Sequence, residues 1–124
     1  MRDGKFQFVI LSVSHARQAG DPSIGLGATA QGEYTVLRVR ITNISSRMQT
    51  FYDGAQHVYD AAGREFGAAT KADIFGNPSQ FWLVRINPGN TVTGDIYFDL
   101  PPGDRAVRAD LHDSIFSGGV TVRL

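Results

Sequence analysis

The sequence predicts an all-β fold: an immunoglobulin-like antiparallel β-sandwich of roughly seven to nine short strands with at most one short helix. Three observations predict it. Residues 32–43 and 87–101 alternate apolar and polar positions between turn residues at both ends. Turn signals rich in Gly, Pro, Asn and Asp recur along the whole chain, which breaks it into strand-length pieces. Only one stretch, residues 68–77, carries a helical pattern.

Residues 6–13 are β-rich and apolar on both faces, so this strand is expected to be covered from both sides or to lie at a sheet crossing. A Gly-rich polar loop is expected over residues 19–32. In the next strand Leu37, Val39 and Ile41 face one way and Arg38, Arg40 and Thr42 the other, one buried face and one wet. Residues 43–47 form a turn, residues 50–52 a short strand, and residues 56–66 a hairpin closed by Ala61, Ala62 and Gly63. In residues 68–77 the Thr70–Asp73 spacing suits a capping box, Gly76, Asn77 and Pro78 stop the helix, and Ile74 and Phe75 are expected to be tucked in. Residues 81–86 read as a strand apolar on both faces. Asn87, Pro88, Gly89 and Asn90 fit a type I or II turn. Val92, Gly94, Ile96, Phe98 and Leu100 then line one face, with Tyr97 among the outward residues. Val107, Ala109 and Leu111 alternate before Ser117, Gly118 and Gly119 turn the chain into a closing strand at residues 120–124.

A chain of 124 residues is one domain, residues 1–124, with no internal repeat or linker. Twelve basic residues balance twelve acidic ones. No basic stripe invites nucleic acid and no basic amphipathic helix invites a membrane surface. The absence of cysteine excludes disulfides, thiolate zinc sites and a cysteine nucleophile. No apolar run reaches the roughly 18 residues of a membrane helix, and Met1, Arg2, Asp3 and Gly4 do not open a signal peptide.

The order of segments, DGKFQFVILSV, GEYTVLRVRITN, VYDAAGREF, NPGNTVTGDIYFDLP and LHDSIFSGGVTVRL, resembles the telokin-like, DUF4352-type domains of actinobacterial and other Gram-positive envelope proteins. Its most specific parts are Gly32-Glu33-Tyr34, the Asn87-Pro88-Gly89 turn, Gly94, and the ending Phe98-Asp99-Leu100-Pro101. The resemblance implies a sandwich domain that works outside the cytoplasm, behind a signal or anchor upstream of this chain. It brings no catalytic motif and no functional residues to carry over.

The three histidines, His15, His57 and His112, lack metal-motif spacing. Asp110, His112 and Asp113 cluster in sequence and are the weak candidates for a metal or acid–base site; the competing reading is a polar hairpin face with Arg108 pairing Asp110. Ser12, Ser14 and His15 lack a nucleophile elbow. Gly25, Gly27 and Gly32 precede a strand rather than the helix a phosphate loop needs. Trp82 with Tyr34, Tyr52, Tyr59 and Tyr97 would make an aromatic platform, against the favoured reading of Trp82 as core. Asn43, Ile44 and Ser45 form a formal glycosylation sequon. The expectation is therefore a non-enzymatic module without cofactor, binding a protein, peptide or cell-wall ligand through its loops, notably residues 19–32 and 68–80, or an edge strand. Edge-strand homodimerisation is the alternative, and a metal-dependent hydrolase the third reading.

Overall fold

A computed structural model describes residues 2–78, 80–113 and 119–124. Its strands are β1 (Arg2–Asp3), β2 (Phe6–Asp21), β3 (Leu26–Asn43), β4 (Gln49–Tyr52), β5 (His57–Asp60), β6 (Glu65–Gly67), β7 (Leu83–Ile86), β8 (Thr91–Leu100), β9 (Ala106–Leu111) and β10 (Val120–Arg123), with one helix, α1 (Thr70–Gly76). Apart from the two-residue β1, the nine longer strands among the described residues fall in the expected range. All pairings are antiparallel. One sheet runs β1-β2-β3-β8, a second β10-β9-β5-β6, and β4 pairs with β7.

The alternation read from the sequence builds the main core. Leu37, Val39 and Ile41 of β3 meet Ile96, Phe98 and Leu100 of β8, and Phe6 and Phe8 of β2. Val58, Ala109 and Leu111 face them from the second sheet, and Phe51 and Ile86 enter from the β4–β7 pair. Phe51 links the aromatic group, 6.4 Å from Phe6 and 5.2 Å from Phe81 between ring centroids. The Asn87–Asn90 turn closes with the Asn90 amide on the Asn87 carbonyl, and Gly89 at φ 79° makes it type II. The closing turn at Ser117 and Gly118 lies outside the described residues, while the β9–β10 pairing it serves is present.

Several expectations change. Residues 19–32 are not a loop: β2 and β3 continue as a paired hairpin to Asp21 and Leu26, joined by a 3-10 turn at Pro22–Ile24 whose start is capped by the Asp21 carboxylate. The hairpin end folds over α1, and a second, small-residue core forms there from Ala19, Ala28, Ala30, Tyr34, Val36, Ala72 and Tyr97. Tyr97 therefore points inward, its ring edge-on to Tyr34 at 5.3 Å. Leu11 and Val13 are exposed, so β2 is covered on both sides only in part. In α1 it is Ala72 and Asp73 that are buried, while Ile74 is exposed and Phe75 half-buried. The Thr70–Asp73 capping box does not form; Ala69 holds the N-cap position without a side-chain bond. Trp82 is half-buried, Leu83 is exposed, and Phe81 takes the core position.

Candidate functional site

The sequence cluster around His112 comes apart in space. Asp110 on β9 accepts the Thr121 hydroxyl at 2.9 Å and stands opposite His57 in register, so its histidine neighbour is across the strand rather than along it. The backbone N–H of His112 donates to Gln56 Oε1 at 2.7 Å, and its carbonyl accepts from Gln56 Nε2 at 2.9 Å. Asp113 accepts the Lys5 amide at 3.1 Å. Arg108 does not pair with Asp110 but lies over the Tyr59 ring, 4.1 Å from its centroid. Tyr59 in turn donates to Glu65 at 2.6 Å, a bond that, with some burial, pushes its hydroxyl up to about 12. The His15 ring lies against Arg105 Nη1, at 3.2 Å from Nε2. Among the described residues no three His, Asp or Glu side chains converge on a cation position. The aromatic platform is likewise dispersed: Tyr34 and Tyr97 are buried on each other, and Tyr59 lies under Arg108. Asn43 is wholly buried, with its amide donating to the Arg47 and Ile86 carbonyls and accepting from Ser45, so the sequon is a structural plug.

Two features invisible in the sequence stand out instead. The first concerns sheet edges. The outer edge of β8 is sealed by the α1 segment. The Tyr97 N–H donates to Asp73 Oδ1 at 2.7 Å, the Tyr97 carbonyl accepts the Ala69 amide at 2.7 Å, and the Asp95 N–H and carbonyl both bond the Asn77 side chain. On the outer edge of β2, the strand pairing among the described residues is β1 against Phe6 and Gln7. Beyond them, residues 8–16 carry no charge except a titratable His15. Phe8, Ile10 and Val13 line one wall of a groove whose other wall is Val122 and Leu124 of the β10 end. Two bulges, at Leu11 and Arg17, interrupt this edge and give it the stronger local twist that such insertions produce.

The second feature is a pair of carboxyls. Asp53, in the 3-10 turn Asp53–Ala55 after β4, and Asp73 of α1 are both fully buried. Neither oxygen of Asp53 nor Oδ2 of Asp73 has a donor among the described residues. Burial first, then the facing Asp53 carboxyl, push Asp73 up to about 10, against the Tyr97 N–H that favours its charged form. Two carboxylates in such a place resist ionising together, and one proton between them partners two of these three oxygens. A dyad with no exposed surface has no route to a substrate, so it serves the fold. Periodicity assigns acids to wet faces, so no signal in the sequence marks these two.

With the fold and these sites defined, the comparisons place the chain. The family model of a domain of unknown function, DUF4352, matches residues 1–121. The chain belongs to the DUF4352 family. Among solved structures, a functionally unknown protein from Listeria monocytogenes EGD-e superposes with a TM-score of 0.65 at 15% identity, over 100% of this chain and 79% of that one. An uncharacterized β-sandwich protein from Clostridium difficile 630 superposes with a TM-score of 0.55 at 10% identity, over 89% of this chain and 80% of that one. At such identities the likeness is one of fold. No curated protein matches the chain.

Proposed function

We propose that this DUF4352 domain is a non-catalytic binding module that takes an extended polypeptide segment of a partner protein along the open side between β2 and β10. The observation that carries the reading is the contrast between its edges: the α1 segment bonds the outer backbone groups of β8, whereas no strand among the described residues pairs with the outer edge of β2 from Val9 to Ala16. An unpaired strand beside an apolar groove supplies backbone bonds for affinity and side-chain contacts for selectivity, the two parts of strand addition. The cations bordering this side, Arg17, Arg105 and Arg123, form no ion pair among the described residues. A second copy would present the same sign there, so a partner segment bearing acidic residues suits it better. An address outside the cytoplasm follows from the family resemblance and is proposed with it; fractionation of the source cells tests that part.

The binding reading is tested with a display library of extended peptides, followed by fluorescence anisotropy on the selected sequences. Leu11→Lys and Val13→Lys, at exposed positions, should weaken capture by tenfold or more. Peptides that bind these variants as tightly as the parent protein would remove β2 from the reading. A stable dimer in light scattering, broken by the same substitutions, would make the edge a self-association surface instead.

A further inference from the structure

We propose that the carboxyls of Asp53 and Asp73 form a proton-operated latch: one shared proton holds α1 against the outer edge of β8, and undocking of α1 lets that proton go. The geometry carries the proposal. Asp73 ties α1 to the sheet between the Ala69 and Asn77 bonds, since its Oδ1 accepts the Tyr97 N–H. Its other oxygen has no donor among the described residues, and the Asp53 carboxyl, equally buried and without a donor, comes from the 3-10 turn that packs against α1. The latch therefore closes only with a proton in it.

The groups around the pair reinforce this. From the 3-10 turn the facing group is Asp53 itself, and from β8 they are Asp95 and Tyr97. From β3 it is Tyr34, whose hydroxyl is raised by burial first, then by Asp99 and Asp73. The β2 hairpin covers α1 with small residues, Ala16 and Ala19. Arg38, the cation that acts on Tyr97, is committed to Asp95 at 3.1 Å. The charges acting on Asp73 are thus acidic, and each favours retention of the proton.

Once α1 has undocked, Asp73 meets water and returns to an ordinary carboxyl, ionised above about pH 4. The closed pair keeps its proton until about pH 10. Between those limits each opening releases one proton, so the open population rises about tenfold per pH unit. Opening bares the Asp95 and Tyr97 backbone groups, which turns β8 into a second free edge.

Native-state amide exchange reads the latch directly. After division by the intrinsic exchange rate, protection at the Tyr97 and Asp95 amides should fall about tenfold per pH unit from pH 5 to 9. Asp53→Asn donates an amide hydrogen bond to an ionised Asp73, and should flatten that slope. Asp73→Asn keeps an acceptor for the Tyr97 N–H and should flatten it too, so failure of one variant to fold leaves the other. Protection at Tyr97 and Asp95 that does not change with pH overturns the proposal. So does protection at Tyr97 and Asp95 equal in magnitude to that of the β5 and β9 amides at every pH, which would assign the proton to global unfolding alone, or a slope that survives both substitutions.

Discussion

At the scale of single residues, side chains here stand in for missing backbone. Asn77 is the clearest case. Its Oδ1 accepts the Asp95 N–H at 2.7 Å while its Nδ2 donates to the Asp95 and Asp73 carbonyls, as a neighbouring strand would do. Asn77→Ala leaves these partly buried groups without partners and should cost about 2 kcal/mol in urea denaturation; an unchanged midpoint would contradict the role. Asn43 does the same between the turn after β3 and the end of β7. Gly94 has the opposite job, since it leaves space. A Cβ there would sit 2.4 Å from the Phe81 ring. Gly94→Ala should therefore destabilise by about 1–3 kcal/mol, the usual range for overpacking, with a lowered melting temperature as readout.

At the scale of elements, α1 shows how little helix propensity decides. Seven residues without a capping bond are too few to hold a helix in water by themselves. The helix persists because Ala72 packs into the small-residue core and Asp73 and Asn77 bond to β8. The edges differ in the same way. β8 is an edge strand by position yet has an interior-like set of bonds, whereas β2 depends on two bulges and a two-residue β1 to manage its exposed side. Leu11→Lys and Val13→Lys should change folding stability by no more than about 0.5 kcal/mol, the usual range for exposed positions. Equilibrium unfolding of both variants checks this, and it separates lost binding from lost fold.

At the scale of the whole molecule, two buried acids set opposite limbs of the pH profile. Burial alone would raise Asp60, but the Arg64 amide and guanidinium outweigh it and bring the carboxyl down to about 2. Its contribution is present above about pH 4 and is lost as pH falls toward 2. Asp73 is raised, so its contribution is complete below about pH 4 and is lost as pH climbs toward 10. The slope of that loss is about 1.4 kcal/mol per pH unit. Thermal melts from pH 2 to 10 should peak in mild acid. Asp60→Asn should flatten the acid limb and Asp53→Asn the alkaline one; a profile unchanged by either substitution would show that these groups do not govern it.

What could be read from the residues was whatever depends on neighbours along the chain. The inward faces of β3 and β8, the β5–β6 hairpin and the Asn87–Asn90 turn follow from a side-chain period of two and from local turn chemistry, and they emerged as expected. The same reasoning placed a loop at residues 19–32 and pointed Tyr97 outward, because it had no means of knowing that a helix from residues 70–76 would be laid on that face. It grouped Asp110, His112 and Asp113, which adjoin in sequence, and missed Asp53 with Asp73, which meet only after the chain has folded. By itself, then, the sequence determined a β-sandwich of the DUF4352 kind and the faces its long strands bury. Which edge is sealed, which is open and where a proton is trapped were left to the tertiary structure. Each of these depends on two distant segments excluding water from the same few polar atoms, and no period along one segment records that.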